Sequence, residues 1–125
     1  MGTFPASIEI GDPEGRRWVV VDALVDTGST YTWVPRELLE RLGVHGGFPR
    51  EFETADGRVI RRDMAVTTAR WEGEVLPTLV VVAEPEDGTM IGAYTLEGFG
   101  LAADPVNRRM VRVRGLAMRG SGPFS

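Results

Sequence analysis

Sixteen glycines and eight prolines are spread along 125 residues, so no apolar run goes far before a turn residue interrupts it. Glycine opens the backbone conformations that tight turns need, and proline withholds a hydrogen-bond donor. Punctuation this dense disfavours long helices and favours short strands joined by turns. Between the breaks lie runs rich in Val, Thr and Trp, which suit a half-buried pleated surface. The expected class is all-β. A chain of this length holds one domain of ordinary size, and 42% hydrophobic with 26% charged residues suits a folded chain rather than a disordered one.

Along the chain, Phe4 to Ile10 and Trp18 to Val25 read as a hairpin turning at 11–15. Pro35 opens a short helix through Leu42, stopped by Gly43. Asp56-Gly57, between the arms Glu51–Thr54 and Val59–Arg62, marks a second hairpin with its tip at Ala55–Arg58. Met64–Trp71 and Val75–Ala83 read as strands, Thr89–Gly92 leads into a second helix over Ala93–Glu97, and Leu101–Asp104 and Met110–Arg114 read as a closing pair. Domain limits of 1–114 follow, with 115–125 a glycine-rich tail expected to be flexible or to contact a second copy. Trp18, Trp33 and Trp71 are assigned to packing, Arg108, Arg109, Arg112 and Arg114 to a solvated strand face, and Arg58, Arg61 and Arg62 to an exposed hairpin arm.

The residues that are missing narrow the chemistry. Without cysteine there is no disulfide framework, thiol nucleophile or cysteine-bound metal. His45 is the one histidine, in a glycine-flanked loop, and is read as solvated. A net charge of −4 disfavours nucleic acid as a partner, although all fourteen basic residues are arginine. No stretch matches a membrane span or a secretory signal, and the expected location is the cytoplasm.

The informative segment is Ala23-Leu24-Val25-Asp26-Thr27-Gly28-Ser29-Thr30, in which an apolar strand runs straight into an aspartate. A carboxylate buried there needs donors, and Thr27, Gly28 and Ser29 supply hydroxyls and approachable amides. The same residues also make an ordinary turn, and the tetrapeptide alone leaves both readings open.

Asp26-Thr27-Gly28-Ser29-Thr30-Tyr31-Thr32-Trp33-Val34-Pro35 resembles the active-site segment of the aspartic proteases. The Asp56-Gly57 hairpin stands where retropepsin-like members carry their flap. Met90-Ile91-Gly92-Ala93-Tyr94-Thr95-Leu96 is similar to their apolar pair, glycine and supporting helix, and the likeness runs in order from about residue 4 to 114. It implies a closed retropepsin-like barrel with a flap hairpin and one or two short helices. With a single Asp-Thr-Gly, it also implies a homodimer in which two Asp26 carboxylates share one proton and activate a water to hydrolyse a peptide bond. No metal and no cofactor is called for.

In that scheme Asp26 is catalytic, Thr27 ties the two loops together, Gly28 meets the peptide backbone and Ser29 hydrogen-bonds the carboxylate. Ala55, Asp56, Gly57, Arg58 and Met90 face a polypeptide substrate. Three departures modify the expectation. Ala93 and Tyr94 lack the family's polar tie to the active-site loop, Thr30 and Tyr31 replace acidic residues that grip peptide, and the flap tip is charged with a single glycine. The alternative reading keeps the fold as a catalytically inactive binding or dimerisation module.

Overall fold

The computed structural model describes residues 3–114. Nine strands and two helices follow one another as β1 (Phe4–Gly11), β2 (Trp18–Val25), β3 (Thr32–Pro35), α1 (Arg36–Arg41), β4 (Phe48–Glu53), β5 (Val59–Trp71), β6 (Glu74–Ala83), β7 (Met90–Ile91), α2 (Ala93–Gly98), β8 (Leu101–Asp104) and β9 (Arg109–Arg112). The strands pair in the order β1-β2-β7-β3-β6-β5, and β5 returns to β1 through Glu9↔Arg70 to Gly11↔Thr68, which closes the ring. β4 lies outside the ring on the free side of β5. β8 and β9 form a separate two-stranded sheet.

Alternation fills this barrel. Ile8, Ile10, Val21, Ala23 and Val25 point inward from the first hairpin and meet Val34, Val80, Val82 and Ile91 in one apolar core. α1 and α2 seal it with Leu39 and Leu96. Asp26 therefore stands at the end of a strand with a firmly seated inward face, and its loop has little freedom to wander.

The structure departs from the sequence reading in two places. Val59–Arg62 and Met64–Trp71 are not two strands but one strand of 13 residues. It pairs with β4 from Val59 to Met64, then with β6 from Met64 to Trp71, so the flap arm and a barrel stave are one continuous strand. Thr32–Pro35, to which the sequence assigns no element ahead of the helix, forms a parallel pair with Thr32↔Val80 to Pro35↔Ala83. Of the tryptophans, Trp33 is buried, whereas Trp18 and Trp71 are half-buried beneath Arg70 and Arg112, whose guanidiniums lie 4.3 and 5.3 Å from the ring centres. The expectation for 115–125 lies outside the described residues.

Candidate active site

The loop after β2 is held from below. Asp26 donates its amide to the Ile91 carbonyl at 3.0 Å, and the Ser29 amide donates to the Asp26 carbonyl at 3.0 Å. Carboxylate Oδ1 accepts the Gly28 amide at 3.0 Å. Asp26 is half-exposed and Thr27 and Gly28 are exposed, so a single chain does not incur the desolvation that the sequence suggested. The Ser29 hydroxyl does not reach the carboxylate: it donates to the Tyr31 carbonyl at 2.8 Å and stiffens the turn instead.

The polar tie that Ala93 and Tyr94 cannot make with side chains is made by their main chain. The first amides of a helix have no acceptor within it. Here Ala93 N–H donates to the Ser29 carbonyl at 2.9 Å and Tyr94 N–H to the Thr30 carbonyl at 2.8 Å. Beneath them, the buried Thr32 hydroxyl accepts the Gly92 amide at 3.1 Å and donates to Thr95 Oγ1 at 2.7 Å, with Thr78 Oγ1 2.9 Å further along. A buried hydroxyl without a partner costs about 1–3 kcal/mol, so this triad fixes β3, β6 and α2 to one another under the loop. The sequence reading missed it. Its signal was three threonines at positions whose neighbours are core residues.

Above the loop, β4 and β5 form the expected hairpin over a cleft of about 920 Å³. Of the residues singled out in the sequence, Asp26, Gly28, Ser29, Ala55, Arg58 and Met90 line this cleft. Thr27, Asp56 and Gly57 do not. At the tip, Gly57 adopts φ +85°. The turn closes through Thr54 N–H to the Arg58 carbonyl at 2.8 Å. Asp56 accepts Arg58 Nε at 3.1 Å and touches the Thr54 hydroxyl. These contacts, the hydroxyl first and then the guanidinium, hold its carboxyl below the usual aspartate value.

The cleft wall also contains Phe52 and Ile60, which the sequence did not single out, and gives Tyr31 and Arg62 roles other than those expected. Phe52 packs edge-on to Trp33, with ring centres 5.0 Å apart, and to Tyr31 at 6.4 Å, which makes an apolar lining with Ile60 and Met90. Tyr31 thus supplies an apolar surface where a grip on peptide was expected to differ. Arg62 is not the solvated arm residue expected from sequence. Its side chain is 14% exposed and grips Asp87, 7% exposed, through Nε–Oδ2 at 2.7 Å and Nη2–Oδ1 at 2.9 Å. Asp87 also accepts the Glu84 amide at 2.7 Å. The guanidinium first, with that amide adding to it, keeps the Asp87 carboxyl below its ordinary value. Among the described residues no group of histidine and acidic side chains could hold a metal ion.

A closed barrel, one Asp-Thr-Gly loop braced by a short helix, and a hairpin roofing the cleft together define the retropepsin-like fold. A family model described as aspartyl protease matches residues 6–95, and the chain belongs to that family. The fold is similar to EIAV protease complexed with the inhibitor HBY-793 (TM-score 0.56, 19% identity, 77% of this chain and 86% of that one). It is similar also to a retropepsin-like aspartic protease from Rickettsia conorii (TM-score 0.53, 19% identity, 82% and 88%). No curated protein matches the chain by sequence.

Proposed function

We propose that the chain is an aspartic endopeptidase that works as a homodimer, with Asp26 of each copy forming the catalytic pair. The observation that carries this reading is the state of the carboxylate. Asp26 lines the cleft, is oriented by the Gly28 amide, and remains half-exposed, open to a second acid. Two carboxylates brought within about 3 Å share one proton, because both cannot ionise cheaply side by side. The ionised member takes a proton from a water between them while the protonated member hydrogen-bonds the scissile carbonyl. Thr27, exposed beside the carboxylate, is the residue for contact between the loops of the two copies.

An extended peptide fits under the flap. Among the described residues no strand pairs with the outer edge of β4, which offers strand-like hydrogen bonds, while the Tyr31, Trp33 and Phe52 surface receives an apolar side chain. Closure of the hairpin removes water and strengthens each polar contact beneath it. Asp26→Asn leaves the fold unchanged and abolishes hydrolysis across a peptide library scanned from acidic to neutral pH. Residual hydrolysis in that variant at the wild-type rate overturns the assignment.

A further inference from the structure

The two faces of the flap differ in how their charges are balanced. Cross-strand partners in an antiparallel ladder share a face, and the register sets Phe48 against Met64, Arg50 against Arg62 and Phe52 against Ile60. Phe52, Ile60 and Met64 belong to the apolar cluster around Trp33, so this is the face that looks into the cleft. Two guanidiniums therefore stand opposite each other on it, which is unfavourable unless each finds an anion. Arg62 has Asp87, with Glu86 at 3.6 Å. Arg50 has none: among the described residues no carboxylate lies within ion-pair distance of it. On the other side of the ladder Glu51 sits opposite Arg61, and Glu51 and Glu53 also reach the cleft wall, yet Arg50 pairs with neither of them.

Arg50 is also positioned. Its guanidinium lies 5.3 Å from the centre of the Phe48 ring, is exposed and lines the cleft two residues from Phe52. A planar guanidinium held over an aromatic face keeps its outward donors free, and their geometry matches a carboxylate. We infer that Arg50 is a specificity-determining residue that receives the carboxylate of an acidic side chain flanking the apolar part of a bound peptide. The preferred substrates are acidic polypeptide segments, and the inference rests on the reading of the cleft as a peptide site.

The test separates binding from hydrolysis. Two labelled peptides share one apolar centre, flanked by glutamates in the first and glutamines in the second, and fluorescence anisotropy reports their binding to the Asp26→Asn protein. The glutamate peptide binds roughly two- to fivefold more tightly, the range for a partly exposed ion pair. The margin shrinks as salt is raised, because screening shortens the reach of the charge. Adding Arg50→Gln removes the margin, and Arg50→Glu turns the preference towards a lysine-flanked peptide. Equal binding of the two peptides, binding of neither, or a margin undiminished by Arg50→Gln overturns the inference. Wild-type protein that discriminates between the peptides yet hydrolyses neither supports the role of Arg50 and counts against the protease reading alone.

Discussion

Gly92 is fixed by space rather than by torsion. Its φ of −100° and ψ of 176° are open to any residue, but a Cβ there would stand 2.3 Å from the Tyr31 carbonyl oxygen and 2.8 Å from that of Ser29. Both are backbone atoms of the loop that carries Asp26, so relief has to come from displacing that loop. Gly92→Ala costs at least about 1–3 kcal/mol in urea unfolding, as overpacking does. It also lowers kcat/KM by roughly a hundredfold, since a shift near 1 Å at a reacting group has that effect. Gly57 is the opposite case, with φ +85° and nothing within 4 Å of the point where a Cβ would stand. Gly57→Ala strains the turn by about 1–3 kcal/mol, and under the proposed function its effect falls on the flap, read as a raised KM with the Asp26 loop undisturbed. Wild-type stability and activity in Gly92→Ala rule out the packing account.

At the scale of elements, β5 and the loop before β7 are joined by the Arg62–Asp87 pair, next to which Arg36 holds Glu84 at 2.6 Å. Breaking a buried pair by removing one partner leaves the other uncompensated, and Arg62→Gln costs about 2–4 kcal/mol, slightly less than for a fully dry pair. The pH dependence has a definite sign. The folded carboxyl of Asp87 titrates below its unfolded value, so its contribution is complete above pH ~4 and disappears as pH falls through the folded value. Wild-type stability, measured by urea midpoints, therefore declines more steeply below pH ~4 than that of Arg62→Gln; parallel curves sink the pair as a stabiliser. This junction also marks the limit of what the sequence shows. The hairpins, both helices and the Asp26 loop are legible because their signals are local: glycine and proline breaks, Asp56-Gly57, and an apolar strand ending in an acid. Arg62 and Asp87 are 25 residues apart, and Thr32 and Thr95 are 63 apart. Nothing local in an arginine on a strand or a threonine among valines tells which distant group it will meet.

On the scale of the whole molecule, one copy supplies one acid, and the proposed chemistry needs two. The consequence is measurable by mixing. If subunits assort at random, and a pair containing one Asp26→Asn chain is inactive, the activity per wild-type chain falls in proportion to the wild-type fraction as Asp26→Asn protein is added. If each copy worked alone, the same addition would leave activity per wild-type chain constant. Sedimentation over the same concentrations links the two quantities, because activity should rise with the population of dimer. Activity unaffected by a large excess of Asp26→Asn chains, under conditions where sedimentation shows mixed dimers, would overturn the shared site while leaving Asp26 itself in place.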